Sequence, residues 1–311
     1  MSEVALKSDP NDLFASAKDI ASWCQSAEKL TEDEGYFYAL GAKHWALFCD
    51  LGPTLLVSFE QLQAVRERPN QMPLANDIAR ANGWSHLCIL SDGDTWFRDP
   101  AVYSYFDQLV DDAFLEDFDQ VLFYGVGSSG YAACAYSVTA PGARVLAINP
   151  KASLASDVAS WDKRYTRQRR LDFTQRYGFA PRMVEGAESV TLIFDPTIPE
   201  DAMHAQLFQG HNIHKFRAPH AKDLIATVLE QTKQLPVLIS LAMAGTLGSK
   251  DLAKAWRTRR NNGLYLRTLL AKAEQSGRPA LELLICRNVT ARLKAPRFVK
   301  RLAQLTQEAD K

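Results

Sequence analysis

The chain is poor in the features that mark several large protein classes. Its 311 residues hold only five cysteines, Cys24, Cys49, Cys88, Cys134 and Cys286. They are odd in number and scattered, which argues against a disulfide framework and against a CxxC metal site. No apolar run approaches the roughly 18 residues needed to cross a bilayer. The start, MSEVALKSDPNDLF, lacks the basic and apolar regions of a secretory leader, so a reducing cytoplasm is the expected compartment. HExxH, paired Cys/His spacing and a Walker loop ending in GK[ST] are all missing, so no metal or P-loop chemistry is expected. His204, His211 and His214 lie close in sequence but in no ligand spacing. No internal repeat is visible. The missing net charge is a cancellation: residues 250–301 carry 14 Lys+Arg and 3 Asp+Glu, whereas residues 1–249 carry 21 basic and 31 acidic residues.

What is present is an ordinary globular mix, 47% hydrophobic and 23% charged. That is enough apolar material for one large domain or two modest ones. Residues 1–50 read as a mainly helical extension. Short apolar runs then alternate with helical patterns: Leu55–Phe59, His86–Leu90, Val121–Tyr124, Val145–Ile148, Val190–Phe194 and Ile213–Phe216 read as six strands. Helices are expected at 74–83, 100–117, 201–209 and 221–233. This rhythm predicts an α/β fold, a mostly parallel sheet with helices on both faces, over residues 51–233. Residues 151–186 break it and read as an inserted cap. Residues 234–311 read as a basic region of four or five helices that docks on its own acidic body.

The segment FYGVGSSGYAACAY carries the strongest signal. Gly125, Gly127 and Gly130 spell GxGxxG, so one reading is a nucleotide site for NAD(P) or FAD, with the pyrophosphate at the helix N-terminus. That reading asks for an acid after the next strand, where Asn149-Pro150-Lys151 stands instead. The other reading is strand, small–x–nucleophile–x–small, helix. The segment resembles the nucleophile elbow of the α/β-hydrolase family. Gly125 and Ser129 fit the small positions, and Gly127 occupies the place of the nucleophile. Moving the register to Ser128 or Ser129 puts Val126 or Tyr131 where a small residue is required.

The resemblance covers about residues 50–233. It implies a triad acid at Asp195 in DPTIP, with Asp201 as the alternative, and a histidine at His220 in RAPH. The gaps are 68 residues from Gly127 to Asp195 and 25 from Asp195 to His220. It also implies an oxyanion hole from backbone N–H groups near Phe59 or Glu60 and at Ser128. Trp96 and Arg98, in the loop after the second strand, are expected at the pocket mouth. The cap arginines Arg164, Arg167, Arg169 and Arg170, with Trp161 and Tyr165, suit either an anionic ligand or a solvated face.

The implied function is that of an α/β-hydrolase-like protein without cofactor. Either it is a pseudo-hydrolase that binds a small acyl or anionic ligand, or an atypical ester hydrolase acting through Ser128 and His220. The alternatives are the nucleotide-binding enzyme and an interaction protein working through its basic helical tail. The stretch Trp256–Tyr265 mixes bases with aromatics but carries no nucleic-acid motif, so nucleic acid and membrane are not expected partners.

Overall fold

The structure, a computed structural model, describes residues 13–14 and 17–309. Eight strands form one sheet in the order β1-β2-β4-β3-β5-β6-β7-β8. They are β1 (Gly35–Leu40), β2 (His44–Cys49), β3 (Thr54–Gln61), β4 (Ser85–Ser91), β5 (Gln120–Val126), β6 (Arg144–Ile148), β7 (Ser189–Phe194) and β8 (Ile213–Arg217). From β4 to β8 every pairing is parallel, while β2 runs antiparallel to both of its neighbours. This is an α/β-hydrolase-like sheet. The six expected strands are all present. The hairpin β1–β2 corrects the expectation that residues 1–50 are a helical extension: only α1 (Ile20–Thr31) is an α-helix of any length there among the described residues. GYFYAL and HWALFC are rich in aromatic and β-forming side chains, and Gly41 turns between them at φ 69.

The remaining helices used below are α2 (Leu74–Asn82), α3 (Pro100–Asp111), α4 (Ser128–Tyr136), α5 (Pro199–Leu207), α6 (Ile225–Gln231), α7 (Leu235–Met243), α8 (Ser249–Arg257), α9 (Gly263–Gln275), α10 (Pro279–Thr290) and α11 (Pro296–Ala309). Each face of the central sheet has its own core. On one face Phe59, Phe97, Phe106, Phe123 and Tyr136 pack together with α3, α4 and the cap. On the other, Leu56, Leu122, Leu146 and Ile148 meet α2, α6 and the C-terminal helices. Leu238, Ile239, Leu252, Trp256, Tyr265, Leu270, Cys286 and Phe298 are among the buried side chains of the C-terminal helices. The basic segment is therefore a wall of the core, with most of its bases exposed and Lys272 turned in toward the loop after β8. Removing it strips one face of the sheet.

The cap is irregular: short helices Ser156–Ala159 and Ala180–Met183 with two 3₁₀ turns between them. Side chains hold it down. Arg98 donates to the carbonyls of Asp172 and Arg176, and the Tyr131 hydroxyl donates to the Tyr177 carbonyl.

Candidate functional site

The centre of the site is the turn from β5 into α4. Gly127 stands there at φ 62, ψ −117, a region that costs an L-residue strain and a glycine very little. Its N–H bonds the Ile148 carbonyl across the ladder at 2.8 Å. The turn is tight because its flanks are small. A Cβ on Gly125 would stand 2.1 Å from the Ser129 carbonyl oxygen, and one on Gly130 would be 3.2 Å from the carbonyls of Gly125 and Ile148. At Gly127 the opposite holds: a Cβ there meets nothing within 4 Å. Backbone contact thus excludes a side chain at Gly125 and crowds one at Gly130, whereas Gly127 faces open space.

The space beside the apex is a cavity of about 670 Å³. Gly127, Ser128 and Ser129 line it, with Phe59, Glu60 and Tyr124 on the β3 side and Asn149, Lys151 and Tyr165 on the β6 and cap side. The first N–H groups of α4, from Ser128 on, have no intrahelical carbonyl and carry the positive end of the helix dipole. β3 adds a second unpaired edge: its ladder with β5 ends at Ser58↔Tyr124, so Phe59 to Gln61 pair only with β4. The head of α4 and the free end of β3 thus both border this cavity.

The Glu60 carboxylate accepts the N–H groups of Leu74 and Ala75, 3.1 and 3.2 Å away at the start of α2. Burial outweighs those bonds and pushes its pKa up to about 7. Lys151 is buried on the opposite side. Its ammonium donates to the Asn149 carbonyl and to Asp201 Oδ1, both at 2.9 Å, and burial lowers its pKa despite that partner.

The expected acid and histidine have other work. Burial alone would raise the Asp195 pKa, but the N–H groups of Lys222 and Thr197, the Thr197 hydroxyl and the His220 N–H hold it below the ordinary carboxylate range. This carboxylate fixes a loop in which His220 and Lys222 both have left-handed backbones, φ 66 and 51. The His220 imidazole points to α9: Lys272 Nζ donates to its Nδ1 at 3.1 Å and to the Thr197 hydroxyl at 3.2 Å. With Nδ1 accepting, Nε2 carries the proton of the neutral ring and cannot take one from a serine. Burial, then the Lys272 charge, lowers the His220 pKa. The alternative acid, Asp201, is bound to Lys151 and Arg164. The structure thus brings Glu60, Gly127, Ser128 and Ser129 to one cavity, but it joins neither Ser128 to His220 nor His220 to either acid by a side-chain bond.

Two expectations at the mouth need correction. Trp96 is 2% exposed and packs against Tyr131, Tyr165 and Phe173. Arg98 is the cap's clamp, stacked over Tyr103. Neither lines the cavity, because loop residues 96 and 97 turn inward with left-handed backbones. Two of the cap arginines are engaged within the protein. Arg164 is paired with Asp162 and Asp201, and Arg169 donates to the carbonyls of Ala159 and Asp162. His204 completes that buried cluster. It accepts the Ala152 N–H at Nδ1 and faces Asp162 through Nε2, while burial lowers its pKa to about 4. No group of three or more His, Cys, Asp or Glu able to hold a metal exists among the described residues.

Asn149, Lys151, Tyr124 and Lys272 were not singled out from the sequence. Asn149-Pro150-Lys151 was noticed for the acid it lacks. An Asn before a proline at a strand end, able to take a left-handed turn, was the available signal. Lys272 lies about 50 residues from His220, and only the fold brings them together.

No family model matches the chain, and no curated protein does. Solved structures give distant likenesses. Carboxyl esterase 2 of the fungus Tuber melanosporum is 11% identical over 68% of this chain and 84% of that one, with a TM-score of 0.40. A thermostable carboxylesterase cloned from a metagenomic library is 11% identical over 80% and 97%, with a TM-score of 0.41. A capsule O-acetyltransferase of Neisseria meningitidis serogroup A is 13% identical over 65% and 93%, with a TM-score of 0.39.

Proposed function

We propose that this α/β-hydrolase-like chain is a non-catalytic binder of a small acyl or anionic ligand, held at the Gly127 turn. The observation that supports the reading is the open space at the side-chain-free Gly127, beside a cavity bordered by the N-terminus of α4. A carbonyl or carboxylate oxygen bonds the N–H groups at the head of α4, and the dipole of that nine-residue helix favours its charge. An acyl chain lies against Leu74, Val126 and Leu235, which line the same cavity. Loss of the nucleophile side chain leaves this binding apparatus standing, because backbone supplies it. The alternative of an ester hydrolase through Ser128 lacks a base, since His220 is engaged by Lys272.

The reading is tested by calorimetric titration of the full chain with hexanoate. Wild type is expected to bind it. Gly127→Phe fills the open apex and is expected to weaken binding at least tenfold, or about 1.4 kcal/mol. Equal binding by the variant would place the ligand elsewhere and sink the proposal.

A further inference from the structure

We infer that the exposed face of α10 is a docking surface for an anionic lipid bilayer, with Leu281 and Leu284 entering the acyl boundary and the bases around them meeting the headgroups. α10 buries Glu282, Cys286 and Val289 on its inner side. The stripe on the opposite side, Leu281, Leu284, Arg287 and Asn288, is exposed. These positions are three and four apart, so they share one face. Leu281 is 43% exposed and Leu284 62%, the most of any large apolar side chain among the described residues. A single exposed leucine needs no explanation, whereas apolar side chains grouped inside a polar rim mark an interaction site.

The charge around that pair chooses the partner. Residues 278–300 hold six bases and one acid, and the acid, Glu282, is buried against Arg301 at 2.6 Å. Arg278 and Arg287 bracket the leucines in sequence, are exposed, and form no ion pair with any described residue. Arg292 donates to Asn261 Oδ1 and to the Arg260 carbonyl, which joins this face to the exposed Arg260. The other side of the sheet is acidic: α3 and the turn after it expose Asp111, Asp112, Glu116 and Asp117. The molecule thus turns its basic, leucine-bearing side toward a negative surface and its acidic side away from it. A second copy of the chain would bring like charges together here. A nucleic acid asks for aromatic rings to stack on, and the aromatics of this region, Trp256, Tyr265 and Phe298, are buried. Leucines flanked by arginines suit a bilayer interface, where apolar side chains enter and guanidinium groups stay with the phosphates. No described helix is long and apolar enough to cross a membrane, and an interfacial face does not require one.

The test is co-sedimentation of the full chain with vesicles, of phosphatidylcholine alone or of phosphatidylcholine and phosphatidylserine in equal parts. Wild type is expected to bind the mixed vesicles about tenfold more tightly than the neutral ones, and to be released by high salt. Leu281→Ser combined with Leu284→Ser is expected to weaken binding to the mixed vesicles about tenfold, and so is Arg278→Glu combined with Arg287→Glu. All four side chains are exposed, so both variants should keep the wild-type melting temperature, which is measured alongside. Wild type that stays in the supernatant overturns the inference. So does vesicle binding that the leucine variant leaves unchanged, which would be charge attraction without a docking face. Binding to a single-stranded oligonucleotide in place of the vesicles would make this a nucleic-acid surface and overturn it too.

Discussion

The β5–α4 turn and the loops after β7 and β8 differ from the expected hydrolase centre in opposite ways. At the turn, Gly127 has a positive φ and open space beside it but carries no side chain. In the two loops, the acid and the histidine are present as side chains and their bonds go elsewhere. Asp195 serves backbone N–H groups, and His220 serves Lys272. The difference shows which part of such a centre stands alone. The turn is constrained by main chain: a Cβ on Gly125 would stand 2.1 Å from the Ser129 oxygen. A relay is enforced by nothing except the relay, so its residues are free to take other partners.

The largest effect is expected where backbone contact is the constraint. Gly125→Val should destabilise the fold by about 3 kcal/mol or more, because no rotamer relieves a clash with main chain. Chemical denaturation measures it. A near-neutral result would mean that the turn is not sterically determined.

The loop side is next. Asp195→Ala should cost about 2 to 3 kcal/mol at neutral pH, since it leaves buried N–H donors unpaired. The Asp195 pKa is depressed in the folded protein, so its contribution is fully present above the ordinary carboxylate range. It is lost as pH falls through the depressed value. The wild-type and variant stabilities should therefore converge in acid. A gap that persists there would point to packing as its source.

Glu60 carries the opposite sign. Its pKa is raised to about 7, so its contribution is fully present below the ordinary carboxyl range and disappears as pH rises through about 7. Glu60→Gln should flatten the stability profile between about pH 5 and 8. Arg68 and Asp77 also face this carboxyl and shift the midpoint in opposite senses. An unchanged profile would show that Glu60 is ionised throughout.

The smallest effect concerns Lys272. Lys272→Met removes the second cause of the depressed His220 pKa, and NMR titration of the imidazole should show it moving up toward the ordinary value. No movement would mean that the ring is held by burial alone.

Much of this was legible in the sequence, and the limits have physical causes. The six strands from β3 to β8 were readable because parallel strands are apolar runs flanked by helices. The β1–β2 hairpin was not, since the edge strand β1 is largely exposed and the aromatics of both strands fit a helix pattern too. Gly127 could be placed at the apex because its neighbours must be small. The fates of Asp195 and His220 could not be read. A carboxylate that caps a loop and one that holds an imidazole look the same in sequence, and Lys272 reaches the site only through the docking of α9. Trp96 and Arg98 were misplaced for a similar reason: a polar loop does not announce that its backbone turns inward.

The central claim is that the site binds without a nucleophile. The most direct test is to incubate the full chain with a fluorophosphonate and read its intact mass. The account predicts no adduct on wild type, because Gly127 offers no side chain and Ser128 has no base. A mass gain of one adduct that disappears in Ser128→Ala would contradict it and make this protein a serine hydrolase.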